Sequence, residues 1–266
     1  MARNINSKRW FEVLGEKAIG FIEYVGAITI FFGEIIFWLF HPPFRVKETI
    51  KQAEKIGVSS LPIVTLISLF TGMVLALQSA YQMQKIQAEM YIASLVALSM
   101  IRGLGPVLTA LIVAGRCGAA ISAEIGTMKV TEQIDALETM ATNPINYLVI
   151  PRFWAMLVSL VVLTIYADFI GIVGGYIIGV TKLHTSHHMY MKMTFDPITQ
   201  SDIYNGLYKS FVFAIVICTI ACFEGMRTKG GAEGVGRATT SSVVRSFVLI
   251  IVCDCILTAL MYFIGR

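Results

Sequence analysis

Residues 148–180 read LVIPRFWAMLVSLVVLTIYADFIGIVGGYIIGV, an apolar run interrupted by two charged residues, Arg152 and Asp168. An α-helix needs about 20 mostly apolar residues to cross the hydrocarbon core of a bilayer. Four more segments meet this requirement: 58–80, 92–121, 204–225 and 244–264. The pattern predicts an all-α polytopic membrane protein with five transmembrane helices. The segments 92–121 and 148–180 are longer than a crossing requires, so they must tilt, bend or project from the membrane, and Pro106 is expected to bend the first of them.

The composition supports this fold class. Charged residues make up 14% of the 266 residues and apolar residues 56%, whereas a soluble globular chain carries roughly 25% charged residues. So little charge cannot cover a water-exposed surface. It excludes an ordinary soluble enzyme, a disordered chain and a nucleic-acid-binding module. The five cysteines lie in or beside apolar stretches, where they act as small hydrophobic residues, and no metal site is expected.

The first 57 residues are predicted to form a separate cytosolic or interfacial helical region, followed by the transmembrane domain 58–266. Segment 18–40 is apolar enough to span, but four acidic residues lie on one narrow stripe of its helical wheel: Glu12, Glu16, Glu23 and Glu34. A helix lying in the membrane interface can keep such a stripe in water, whereas a spanning helix would bury it. The interfacial placement is therefore favoured, although a sixth span stays open.

The basic residues predict the orientation. With a cytosolic N-terminus and five spans, fifteen Lys and Arg residues lie on the cytosolic side and five on the other side. Cytosolic loops of membrane proteins carry such an excess, so the C-terminus is predicted to lie outside.

Small residues recur every fourth position in two spans. They are Gly171, Gly175 and Gly179 in one helix, and Ala114, Gly118, Ser122 and Gly126 in another. Such stripes let helix backbones approach closely in lipid. They indicate either packing within the chain or the interface of a homodimer.

Segment 127–143 is predicted to form a short amphipathic helix in a cytosolic loop. Thr131 is a candidate N-cap, acidic residues follow it, and Asn143-Pro144 ends the pattern. The helix either rests on the membrane surface or docks to a soluble partner.

Several ionisable residues lie in or near the spans: Arg102, Asp168, Lys209, Glu224 and Asp254. A charge at bilayer depth costs at least about 2.5 kcal/mol, so it normally faces a partner or a polar cavity. Structural ion pairs, a path for an anionic head group and proton coupling are the open interpretations. In the second, Arg102 and Lys209 would hold the head group and Asp254 would orient one of them.

Three stretches carry a resemblance to a known family. They are IRGLGPVLTALIVAGRCGAAISAEIGTMKVTEQIDALETMATNPINYLVIPRFWA at 101–155, GAEGVGRATTSSVVRS at 231–246 and DCILTALMYF at 254–263. A further stretch in the first span, FTGMVLALQSAY at 70–81, also fits this family. The chain resembles the MlaE family of ABC-transporter permeases over about residues 55–265. This family has an N-terminal interfacial helix and five spanning helices.

The resemblance implies an inner-membrane permease that moves glycerophospholipids towards or from the outer-membrane pathway. It implies a homodimer, cytosolic ATPase subunits that bind ATP and magnesium in place of this chain, and a periplasmic ring of MCE-domain protein. Segment 127–143 would be the coupling helix. The residues predicted to couple it to the ATPase are Glu124, Thr131, Glu132, Gln133, Asp135, Leu137 and Glu138.

Arg102, Lys209 and Asp254 match family positions associated with the lipid cavity. Many relatives carry Glu after this arginine, whereas this chain has Gly103, so Arg102 is either free for a phosphate or paired with another acid such as Asp254. Four residues of the first span share one face: Leu69, Met73, Leu77 and Tyr81. They are predicted either to line the lipid cavity or to pack against neighbouring helices as ordinary apolar residues.

The sequence shows no catalytic cluster, which disfavours an intramembrane enzyme. An ion-coupled secondary transporter of an amphipathic anion is the alternative to the permease.

Overall fold

The computed structural model describes residues 3–42, 45–85, 87–183 and 185–264, and every regular element among them is helical. Six stretches are long and apolar enough to cross a membrane. They are Ile22–Leu39, Val46–Gln84, Glu89–Val130, Ile145–Thr181, Gln200–Met226 and Gly231–Phe263. The predicted fold class, an all-α polytopic membrane protein, is confirmed.

The chain divides into two compact units, residues 1–44 and residues 45–266. The first unit contains helix α1 (Arg3–Leu39). Three of the four predicted stripe residues, Glu16, Glu23 and Glu34, are exposed, and the side chain of Glu12 lies outside the described part. The interfacial placement of α1 stays a prediction, as does the domain boundary at 57.

The second unit contains the other ten α-helices of the described chain. They are α2 (Val46–Ile56), α3 (Leu61–Gln84), α4 (Ile92–Ser99), α5 (Gly105–Val113), α6 (Ala119–Val130), α7 (Gln133–Thr139), α8 (Ile150–Thr181), α9 (His187–Phe195), α10 (Gln200–Met226) and α11 (Gly231–Ile264).

The stretch from α4 to α6 forms one long crossing with two wide turns. Met100–Leu104 and Ala114–Gly118 adopt π-helical geometry between the α-helical parts. Pro106 lacks a backbone N–H and cannot donate to the carbonyl four residues earlier. The chain accommodates it through the π turn just before it, in which the Gly105 N–H bonds to the Met100 carbonyl. The predicted bend at Pro106 stays a prediction.

The helix pair α3 and α8 packs through glycines. A Cβ atom on Gly72 would lie 1.8 Å from the carbonyl oxygen of Gly171, and one on Gly174 would lie 2.2 Å from that of Leu69. The backbones are therefore in direct contact. Gly175 and Gly179 face Val96 and Tyr190 of the same chain.

The second stripe of small residues also packs within the chain. Gly118 faces Ile217 and Ala221 of α10, and Gly126 faces Thr228 just beyond it. Both stripes therefore serve intrachain packing, which decides between the two interpretations that the sequence left open for them.

Candidate functional site

The candidate site is built around Arg102, which lies in the π turn Met100–Leu104. Because Pro106 cannot donate a hydrogen bond to the Arg102 carbonyl, that oxygen remains available. The ammonium of Lys209 on α10 donates to it at 3.0 Å. Gly206 allows this approach, since a Cβ atom there would lie 2.4 Å from the carbonyl oxygen of Ile101.

Lys209 is 3% exposed and makes two further contacts. Its ammonium lies 2.8 Å from Oδ1 of Asp254 and 2.8 Å from Oγ1 of Thr258, both on α11. A lysine ammonium has three donor hydrogens. Two of them are donated to the Arg102 carbonyl and the Thr258 hydroxyl, and the contact with Asp254 is an ion pair, so Lys209 joins the π turn to α11.

The side chain of Arg102 has a different partner, Asp202. Its Nε donates to Oδ1 of Asp202 at 2.6 Å. The structure thus decides the open question about Arg102 in favour of Asp202, while Asp254 pairs with Lys209. The terminal guanidinium nitrogens of Arg102 have no hydrogen-bond partner in the described chain, and the side chain is 58% exposed.

Asp202 is itself held in place by the first turn of α10. Its Oδ2 accepts hydrogen bonds from the backbone N–H of Thr199 at 3.0 Å and from the Thr199 hydroxyl at 2.8 Å. Together these residues form a capping box. Our sequence reasoning missed Asp202. The Thr-x-x-Asp pattern before an apolar run could have identified the cap, but not the ion pair with a residue 100 positions earlier.

An open pocket of about 910 Å³ lies beside these residues. Its lining combines the two cations with hydroxyl, amide and apolar groups: Arg102, Thr199, Ser201, Asp202, Asn205, Lys209, Thr258, Met261 and Tyr262. A guanidinium with two unused nitrogens at the edge of such a pocket suits a phosphate, which accepts paired hydrogen bonds from arginine.

The four first-span residues predicted to line a cavity do not line this pocket. Leu69 and Met73 are half-buried, whereas Leu77 and Tyr81 are 48% and 67% exposed. They lie along α3, away from the lining set of the pocket. Their role in a lipid cavity stays a prediction.

Segment 127–143 differs from the single helix predicted for it. Helix α6 continues to Val130, and the Thr131 hydroxyl donates back to the Thr127 carbonyl at 2.8 Å, so Thr131 ends a helix instead of capping the start of one. Glu132 has a φ of +60° and turns the chain into the short helix α7. The predicted cap at Thr131 is wrong, because Thr131 is the C-cap of α6 and Glu132 occupies the N-cap position of α7.

The end of this segment also differs. Ala141 has a φ of +56°, and Oδ1 of Asn143 accepts from the backbone N–H of Ile145 at 2.8 Å and of Asn146 at 3.2 Å. Asn143 therefore caps the π-helical turn Ile145–Val149, which leads into α8.

The turn and α7 nevertheless present a polar surface. Ile134 is buried and Leu137 is half-buried, while the polar residues are exposed. The exposed set is Glu132, Gln133, Asp135 and Glu138. Asp135 pairs with Lys129 at 2.6 Å, so its carboxylate is partly committed within the loop.

Glu124 lies on α6, before this loop, and joins three helices. Its carboxylate pairs with Lys55 of α2 and, at 3.2 Å, with Arg152 of α8. These contacts connect α6, which leads into the loop, to both neighbouring helices.

The other two predicted intramembrane acids lie apart from the pocket. Glu224 pairs with Arg245 between α10 and α11. Oδ1 of Asp168 is buried against Gly105 and has no hydrogen-bond partner in the described chain.

Comparison with known proteins shows what the chain resembles. The family described as permease MlaE matches residues 49–260. The intermembrane phospholipid transport system permease protein MlaE of Haemophilus influenzae is 40% identical over 260 residues, covering 96% of this chain and 98% of that protein.

Two further relatives extend the comparison. A probable ABC transporter permease protein of Rickettsia felis is 43% identical over 249 residues, covering 94% of this chain and 96% of that protein. The chloroplastic protein TRIGALACTOSYLDIACYLGLYCEROL 1 of Arabidopsis thaliana is 33% identical over 236 residues, covering 89% of this chain and 67% of that protein.

Proposed function

Because the chain belongs to the MlaE family of permeases, we propose that it is the membrane subunit of an ABC transporter that moves glycerophospholipids between the inner membrane and the periplasmic pathway to the outer membrane. The observation that carries this proposal is the guanidinium of Arg102 beside an open pocket in the helical bundle. Its Nε is fixed by Asp202 and its terminal nitrogens are exposed at a pocket. The Haemophilus relative is named for intermembrane phospholipid transport, which supports the same substrate class.

In this proposal Arg102 contacts the lipid phosphate directly. Lys209 and Asp254 act behind it, because Lys209 holds the π turn through the Arg102 carbonyl and is neutralised by Asp254. The exposed apolar face of α3, including Leu77 and Tyr81, is proposed to contact acyl chains. Met73 and Leu69, which are half-buried on the same helix, would complete that wall.

The energy for transport is proposed to come from a separate cytosolic ATPase. ATP and magnesium would bind to that partner, whose closure would press on the exposed residues of the turn and α7. The force would pass through α6 to Glu124 and from there to α2 and α8, since its carboxylate pairs with Lys55 and Arg152.

The remaining features of the assembly come from the family resemblance. We propose a homodimer in the bacterial inner membrane with a cytosolic N-terminus, a periplasmic C-terminus and an MCE-domain ring on the periplasmic side. The excess of basic residues at the end of the bundle that carries α7 supports this orientation.

Affinity purification of the tagged chain from its native membrane tests the proposal. We expect an ATPase subunit and phospholipid to co-purify with the wild-type protein. The double variant Glu132→Lys and Glu138→Lys should lose most of the ATPase and remain in the membrane, because it reverses charges that are exposed on the loop. Glu89→Lys, an exposed charge at the opposite end of the bundle, serves as the control.

A second variant tests the lipid contact. Arg102→Gln should reduce co-purified phospholipid at least about tenfold, since hydrogen bonds to charged groups contribute about 1.5–3 kcal/mol each. Lys182→Gln, an exposed cation outside the pocket, should change nothing. Recovery of no ATPase with the wild-type chain, together with lipid uptake driven by an ion gradient, would instead establish the secondary transporter.

A further inference from the structure

A second pocket lies between α2 and the stretch that joins α5 to α6. It is partly open to solvent, and its polar lining consists of Gln52, Lys55, Arg116 and Glu124. None of these residues lines the pocket at Arg102. Arg116 lies 14 positions after Arg102 in the same crossing, which corresponds to about 21 Å along a helix, so the two pockets are separate.

The charges around this second pocket do not balance. Lys55 and Arg152 share the single carboxylate of Glu124. Arg116 is half-buried and forms no salt bridge with a carboxylate in the described ranges, since its contacts are to the Lys55 carbonyl at 2.8 Å and the Ser60 hydroxyl at 3.2 Å. Three cations thus surround one anion.

The hydrogen-bonding capacity of Arg116 is also incomplete. Its Nε and Nη2 are used, whereas Nη1 has no partner among the residues that the structure describes. A partly buried guanidinium normally pairs with an anion. The two hydrogen bonds hold the Arg116 side chain at the pocket, so an incoming anion would meet a preorganised donor.

The position of the pocket indicates where such an anion would come from. Residues 56–84 contain no charged residue, and Ser60, near the start of this stretch, contacts Arg116. The pocket is therefore level with one edge of the apolar segment, where the phosphates of membrane lipids lie. Basic pockets between transmembrane helices at this depth bind anionic head groups.

We propose that this pocket binds the phosphate group of an anionic ligand, with Arg116 and Lys55 as the donors. Its depth in the bundle favours a lipid head group over free phosphate. Bound there, the phosphate neutralises Arg116. It also joins α2 to the π turn before α6, the helix that leads into the loop with α7. The site does not depend on the transport function proposed above, because it uses other residues at another depth.

The test measures phosphatidylglycerol retained by the purified full-length chain, using mass spectrometry of the intact protein–lipid complex. Gln52→Glu adds a carboxylate to the pocket and leaves both hydrogen bonds of Arg116 in place. We expect it to reduce retained phosphatidylglycerol at least about tenfold, and Arg116→Gln to do the same.

Two controls separate this site from other effects. Lys51→Gln removes an exposed cation from the same helix, outside the pocket, and should retain phosphatidylglycerol like the wild type. The losses in Gln52→Glu and Arg116→Gln are also measured in an Arg102→Gln background, where lipid at the transport pocket is reduced; a loss of the same size there belongs to the second pocket alone, so failure of the proposed transport pocket would be distinguishable. If Arg116→Gln does not fold, Gln52→Glu decides the question.

Competition with inorganic phosphate identifies the source of the anion. Displacement of phosphatidylglycerol only by other anionic lipids would assign the site to a head group, whereas displacement by millimolar phosphate would assign it to a soluble phosphate. Wild-type retention by Gln52→Glu, or an equal loss in Lys51→Gln, would overturn the proposal.

Discussion

Replacing Asp254 by Asn should destabilise the bundle through Lys209. The ammonium of Lys209 is almost fully buried and lies 2.8 Å from Oδ1 of Asp254. At an effective dielectric constant of about 20, two unit charges at this distance attract by about 6 kcal/mol, before any desolvation cost is counted. Asparagine has nearly the same shape, but it is neutral and carries an amide NH2 group in place of one carboxylate oxygen.

The net effect is smaller than this attraction. Removing one partner of a buried pair typically costs about 3–5 kcal/mol, because the other charge stays buried. Asp254 retains 29% side-chain exposure, and Lys209 keeps two neutral acceptors, Thr258 and the Arg102 carbonyl. We therefore expect Asp254→Asn to lower the free energy of unfolding by about 2–3 kcal/mol, which is less than for a fully buried pair.

Unfolding by SDS titration in mixed micelles measures this change. Asp196→Asn, an exposed carboxylate that forms no salt bridge among the residues described, is the matched control and should shift the free energy by less than about 0.5 kcal/mol. The double variant Lys209→Met and Asp254→Leu should lie within about 1 kcal/mol of the wild type, because it removes both charges together. A loss in Asp254→Asn no larger than in Asp196→Asn would refute the reasoning.

Two other predictions concern packing and pH. Gly72→Ala should lower the free energy of unfolding by at least about 2 kcal/mol in the same assay, since its Cβ would lie 1.8 Å from the Gly171 carbonyl oxygen. The control Gly103→Ala, whose Cβ would meet nothing within 4 Å, should be tolerated. Equal losses of stability in the two variants would contradict the backbone contact at Gly72. Burial raises the pKa of Tyr190 to about 12, and its hydroxyl has no partner in the described chain. Tyr190→Phe should therefore be neutral or stabilising at pH 7. Between pH about 10 and 12, the wild type should lose stability relative to Tyr190→Phe, because the Tyr190 phenol ionises at a lower pH in the unfolded chain than in the folded one. If the free energies of unfolding of the two proteins ran parallel over this pH range, burial of Tyr190 would not have this effect.

Much of the local structure of segment 127–143 could be predicted from the sequence, but the path of its backbone could not. The alternation of Ile134 and Leu137 with acidic residues correctly indicated a helix with a polar exposed face. The sequence did not reveal that Thr131 ends the preceding helix or that Glu132 adopts a left-handed conformation. A threonine hydroxyl can bond either forwards as a cap or backwards to the carbonyl four residues earlier, and the pattern of residues does not distinguish the two.

The sequence by itself determined the fold class and the family, because both depend on local properties. A run of apolar residues is long enough to cross a bilayer whatever its neighbours are, and the motif around Glu124 can be recognised without coordinates.

Only the tertiary structure decided how the charges pair. Arg102 contacts Asp202, and Lys209 contacts both Asp254 and the carbonyl that Pro106 leaves unpaired. These partners lie 45 to 107 residues apart in the chain. The attraction between two charges depends on their separation in space and on the medium around them, so it is defined only once the helices have packed.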